Sequence, residues 1–109
     1  MDTMIPAGLN NLLEWIAQEI EPDIQLGTLR AFLFVAERGA CKQNEVEQHL
    51  KSTNASTSRN ISYWTDRRFD RKPGKNFIKR EEDDYDRRMR NLTLTKKGQA
   101  FYDQLKERL

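Results

Sequence analysis

The chain has 109 residues, 37% hydrophobic and 33% charged, with a formal net charge of +2, which bounds it to one small, very polar domain. A lone cysteine, Cys41, excludes an internal disulfide and any multi-cysteine metal site, and a lone histidine, His49, argues against a zinc cluster. No apolar run approaches a membrane span, and the N-terminus lacks the basic-then-apolar layout of a signal peptide, so the sequence reads as a protein of the bacterial or viral cytoplasm.

Residues 9 to 21 carry Leu9, Leu12, Leu13, Ile16 and Ile20 at the spacing of one helical face. Pro6-Ala7-Gly8 reads as a loop before this helix, and Pro22 stops it. Trp15 falls off the stripe, as a partly exposed aromatic packed on a loop or as a contact with a second subunit. A helix ahead of a compact core has little to pack on within one chain, which makes residues 1–25 a dimerisation segment.

A second helix is predicted from Thr28, its cap, to Arg38, with Gly39 ending it. Leu29, Phe32, Leu33 and Ala36 point inward, and Phe34 and Val35 widen the apolar arc, which makes it the central core element. Ala40-Cys41 is expected as a short first strand. The third helix, Gln43 to Leu50, turns Val46 and Leu50 inward and Glu45, Glu47, Gln48 and His49 outward, with His49 a solvated surface residue.

After the turn Lys51-Ser52-Thr53, whose hydroxyls suit a helix cap, a fourth helix places Thr57, Ile61 and Trp64 on one face. Its other face holds Asn54, Ala55, Ser56, Ser58, Arg59 and Ser62. Short side chains there let a helix backbone approach base edges in a DNA major groove, with Arg59 and Asn60 supplying hydrogen bonds. An ordinary solvated helix has the same composition.

The connection that follows is strongly basic: Arg67, Arg68, Arg71, Lys72 and Lys75 surround a Pro73-Gly74 turn. Each of these cations is suited to displace a counterion from a DNA phosphate; the alternative is a flexible basic loop that serves solubility. The charge distribution along the chain favours the phosphate role. Met1 to Ser58 holds four Lys/Arg against eight Asp/Glu, whereas Arg59 to Lys97 holds thirteen against seven, the uneven footprint expected of a phosphate binder.

Next come Phe77-Ile78-Lys79-Arg80 and Met89-Arg90-Asn91-Leu92-Thr93-Leu94-Thr95, two strand-capable segments around the acidic, turn-prone tip Glu81 to Arg88. They predict a hairpin. Here the sequence resembles the MarR family of winged-helix transcription regulators. The resemblance rests on Asp86-Arg87-Arg88, on Leu92-Thr93-Leu94-Thr95-Lys96-Lys97-Gly98 and on Ser58-Arg59, and extends back to about Leu26. It implies a mainly α, winged helix-turn-helix fold with a small β-hairpin wing, a DNA-binding domain at 26–95 and dimerisation helices at both ends. It further implies that Arg87 or Arg88 reaches the DNA minor groove while Asp86 holds the wing arginine by a salt bridge; Arg90, two residues on, is expected to join them as a DNA-binding cation. A narrow minor groove attracts an inserted arginine. A charged solvent-facing hairpin is the plainer reading of the same residues. Some MarR relatives sense oxidants through a cysteine; for Cys41 an inert packed thiol is favoured.

The last helix is expected from a Thr95 cap to Leu109, with Phe101, Tyr102, Leu105 and Leu109 along one side. It is shorter than the dimerisation arm the family shows, which leaves open both the dimer geometry and the small-molecule effector pocket that many members hold between the dimer helices and the DNA-binding lobe. No phosphate loop, nucleophile elbow or metal-spaced ligand set is present, so neither enzyme activity nor a cofactor is expected. Two functions fit: a homodimeric repressor reading a near-palindromic double-stranded operator, its recognition helices about 34 Å apart, or a winged-helix module that binds another protein.

Overall fold

Phe32 is fully buried at the centre of the molecule, with rings from three other segments around it: Trp64 at 4.9 Å, Phe101 at 5.7 Å and Phe77 at 5.8 Å. The computed structural model describes residues 4–109. Its elements are α1 (Met4–Glu19), α2 (Leu26–Arg38), β1 (Ala40–Lys42), α3 (Gln43–Leu50), α4 (Asn54–Ser62), β2 (Ile78–Glu82), β3 (Arg90–Leu94) and α5 (Lys96–Glu107). Helices α2, α3 and α4 form the helical core, and the three strands form an antiparallel sheet in the order β1-β3-β2. β2 and β3 are the wing.

The predicted helix-turn-helix and wing are present, with shifts that have local causes. α1 starts at Met4 and takes in residues 6–8, expected as a loop, because a proline in a first helical turn lacks only an N–H that would have no partner there. α2 begins two residues before Thr28. Its N-cap is Gln25, which makes no side-chain cap bond, and Thr28 is instead buried inside the helix. Gly39 does end α2, with φ of 76°, in the left-handed region that glycine occupies without a Cβ penalty. In the wing, Glu81 and Glu82 belong to the strand, opposite Asn91 and Arg90, so the tip starts at Asp83.

Trp15 is buried, against the expectation of a partly exposed ring. It stacks on Phe101 at 5.2 Å with the planes 10° apart. Phe101 stacks on Phe77 at 5.0 Å, Phe77 on Trp64 at 5.7 Å, and Tyr63 meets Trp64 edge-on at 5.0 Å. A continuous row of rings therefore runs from α1, through α5 and the start of the wing, to the end of α4. α1 thus has packing partners within its own chain, and Ile16 and Ile20 join the same core. Its N-terminal half differs: Leu9 and Leu13, on the predicted stripe, are 57% and 48% exposed, and Leu109 at the far end of the chain is exposed as well.

Thr95 caps α5 as expected, accepting from the Gly98 N–H at 3.0 Å and donating to the Asn76 carbonyl at 2.7 Å. Gly98 lies where α5 crosses the start of the wing. A Cβ there would sit 2.1 Å from the Phe77 carbonyl oxygen, so only glycine allows this approach.

Candidate nucleic-acid interface

The Thr53 side chain caps α4 by accepting from the Ser56 N–H at 3.1 Å. Thr57 and Ile61 pack inward without exposure, as does Trp64 just beyond the helix. The Trp64 indole donates to the Thr28 carbonyl at 2.7 Å, which ties the end of α4 to the start of α2. This anchoring leaves Asn54, Ala55 and Arg59 exposed and Ser56 and Ser58 half-buried along the outer face.

Two residues assigned to that outer face lie elsewhere. Ser62 is buried and its Oγ accepts from Arg80 Nη2 at 2.8 Å. Asn60 is half-buried, and its side-chain oxygen accepts from the Thr28 hydroxyl at 2.8 Å. Both serve the packing of α4, because a small polar residue turns inward wherever a partner from another element waits for it.

That partner for Ser62, Arg80, has no place among the residues picked from sequence. From β2 it reaches Gln43 Oε1 at 3.2 Å and both the carbonyl and the hydroxyl of Ser58 at 3.4 Å, as well as Ser62. It fastens the wing to α3 and α4. A signal was available, since an arginine in a short strand next to the apolar pair Phe77-Ile78 is placed to reach inward.

At the wing tip the Arg88 guanidinium is 90% exposed and meets both Asp86 oxygens, through Nε at 3.1 Å and Nη2 at 3.2 Å. The Arg88 N–H also donates to Asp86, at 3.0 Å. The bonded guanidinium holds the Asp86 carboxyl below its usual range, and Asp86 in turn raises Arg88. Arg90 folds back on the wing, donating to the Arg87 carbonyl at 2.5 Å with Glu82 at 3.9 Å. Asp83 shapes the tip by accepting from Asn91 and from the N–H groups of Tyr85 and Asp86. Asp83 and Asp86 thus have local backbone and side-chain partners.

The basic connection between α4 and β2 is a folded turn. The Arg68 N–H donates to the Lys72 carbonyl at 2.9 Å, Arg67 bridges to Pro73, and Gly74 lies against the Thr65 carbonyl so closely that a Cβ would sit 1.9 Å away. Its cations divide by surroundings. Arg68 pairs with Asp70 at 3.1 Å and lies over the Tyr63 ring, and Lys75 donates to the Ile20 carbonyl at 3.1 Å, at the end of α1. Arg67, Arg71 and Lys72 are exposed and carry no carboxylate partner among the described residues.

A cleft of about 500 Å³ separates the α1–α2 corner from α4, lined by Glu21, Gln25, Arg59, Tyr63 and Phe69 among others. Tyr63 donates to Glu21 across it, and burial with that bond drives its hydroxyl far above the ordinary range. Cys41, on β1, has its thiol pushed up to about 11 by burial and by Glu45. Among the described residues no cluster of metal-ligating side chains occurs, and no helix is long and apolar enough to cross a membrane.

Three helices with a three-stranded sheet whose β2–β3 hairpin is the wing define a winged helix-turn-helix, and in solved structures the same arrangement is that of MarR and similar regulators. A structure of the Staphylococcus aureus MepR–DNA complex matches with a TM-score of 0.74 at 18% identity, over 96% of this chain and 78% of MepR. A MarR-like transcriptional regulator from Thermotoga maritima matches at 0.65 and 24% identity, over 99% and 75% of the two chains. MarR itself matches at 0.64 and 18%, over 96% and 74%. What is shared at these identities is the fold. No family model matches the sequence, and no curated protein matches it.

Proposed function

We propose that this protein is a DNA-binding transcription regulator of the MarR type and no enzyme, acting as a homodimer on a near-palindromic operator, most simply as a repressor that blocks polymerase. The observation that carries the reading is the exposed Arg88 fork braced by Asp86 at the wing tip. A fixed guanidinium loses little side-chain freedom when it enters a minor groove, where the negative potential is focused. α4 would lie in the adjacent major groove with Asn54, Ala55, Ser56 and Arg59 towards the bases. Arg87 and Lys72 would add charge at the phosphates. MepR, of the same fold, has been solved with DNA.

Residues 26–95 would then be the DNA-binding unit, and the exposed Leu9 and Leu13 of α1 would pair across a two-fold axis, with α5 beside them. The cleft under Arg59 is roomy enough for a small effector, whose binding would compete with DNA. The compartment is the cytoplasm, where the operator is. Selection from a randomised duplex pool, with sequencing of the bound fraction and a salt titration, tests the reading. An enriched inverted repeat with steeply salt-dependent affinity is expected. Absence of binding at low salt refutes it in favour of a protein-interaction module, and binding without a motif refutes sequence-specific regulation.

A further inference from the structure

Arg80 is a half-buried cation whose four bonds all go to neutral acceptors: Gln43, Ser62 and, twice, Ser58. Burial and the nearby Arg90 both act against its charge, and among the described residues no carboxylate pairs with it. A guanidinium held this way is poorly compensated until an anion arrives. It lines a cleft of about 780 Å³ whose walls are the end of α4, the folded basic turn and the base of β2. From the turn, Arg67 and Arg71 line the same cleft, both exposed and without a carboxylate partner among the described residues. Arg68 and Lys79 lie there too but are paired with Asp70 and Glu81, and Asp66 is the carboxylate on the wall. The Ser58 and Ser62 hydroxyls accept from Arg80, which leaves each its own O–H to donate.

The place of the cleft supplies the second argument. Neighbouring major and minor grooves are separated by one sugar–phosphate backbone, so a protein with α4 in one groove and its wing in the other must straddle that strand. The cleft opens between those two elements. We propose that it is a phosphodiester site, in which Arg67, Arg71 and Arg80 bind consecutive phosphates of the DNA strand that passes between α4 and the wing. The proposal rests on the DNA-binding reading. The turn gives the site a rigid outer wall, and the phosphate strand completes the charge balance that Arg80 lacks.

The test uses the double variant Arg67→Ala/Arg71→Gly in the full chain. Arg71 has a φ of 69°, a left-handed position that glycine occupies readily, so the turn survives the change. Binding to a selected duplex is measured from low to physiological salt, together with phosphate-ethylation interference. We expect the slope of log affinity against log salt to fall by about two, and affinity near 0.15 M salt to drop roughly tenfold or more. The enriched sequence stays the same, and interference is lost at the phosphates between the two contacted grooves. An unchanged slope with normal wild-type binding overturns the phosphate site and leaves the DNA-binding reading standing. A changed sequence preference overturns it by assigning the arginines to base readout. Failure of the wild-type chain to bind any duplex at low salt overturns both.

Discussion

Gly98→Ala reverses the effect that helix propensity alone would give. Gly98 lies inside α5, where alanine ordinarily stabilises a helix by about 1 kcal/mol relative to glycine. Here the added Cβ would sit 2.1 Å from the Phe77 carbonyl oxygen, 2.9 Å from its carbon and 3.0 Å from its Cα, where ordinary contact begins at 3.4 Å. The obstacle is backbone, so relief requires α5 to retreat from the start of the wing by about an ångström. That retreat strains the Thr95 N–H bond to the Phe77 carbonyl, at 3.0 Å, and opens the stack of Phe77 on Phe101. Overpacking costs about 1–3 kcal/mol, and a weakened backbone bond about 1 kcal/mol more. Set against the propensity gain, the net loss is about 1–3 kcal/mol. At about 4–8 °C per kcal/mol for a domain near this size, the melting temperature should fall by roughly 4–24 °C. Urea unfolding should show a lower midpoint with an unchanged slope. A variant as stable as the parent, or more so, would refute the steric argument.

Trp15→Ala should cost about 3 kcal/mol or more in urea unfolding, because a buried ring stacked on Phe101 is lost and a cavity is left in its place; a loss below about 1 kcal/mol would mean that α1 is held by other contacts. Arg88→Ala should leave the melting temperature unchanged, since the side chain is solvent-exposed, while lowering affinity for a selected duplex by about tenfold or more. Asp86→Asn should give a smaller loss of the same kind in the same assay, since it frees the arginine without removing it. For Cys41, a thiol titrating near 11 in place of the ordinary 9.0 holds about one hundredth of the thiolate at neutral pH. Iodoacetamide should therefore label the native protein about a hundredfold more slowly than the unfolded chain, with the rate climbing as pH rises towards 11. Equal rates at neutral pH would disprove the shielding.

Regular elements were legible wherever a local signal fixed them. The Thr53 and Thr95 caps, the Gly39 stop and the inward pair Ile61 and Trp64 are each dictated by a few adjacent residues, and the structure has them in place. Residues whose role depends on a distant partner were not legible. Thr28 has the chemistry of a cap, but its hydroxyl is used by Asn60, 32 positions away. Ser62 belongs to the outer arc of an isolated α4, yet Arg80 arrives from β2 and draws it inside. Trp15 lies beside the aliphatic stripe of α1, and its burial follows from Phe101, near the other end of the chain. The polar face of α4 and the Asp86–Arg88 pair were visible because both are written in consecutive residues.

The row of rings from Trp15 to Tyr63 has a mechanical consequence. Close-packed rings resist compression, so the row behaves as a strut between the terminal helices and α4. In the proposed homodimer, joined through α1 and α5, the distance between the two α4 helices would be set by two such struts and the angle at which they meet. Shortening one ring, as in Phe77→Leu, would then do more than soften the core. It would reset the gauge of the pair, and the preferred separation of the operator half-sites would move with it.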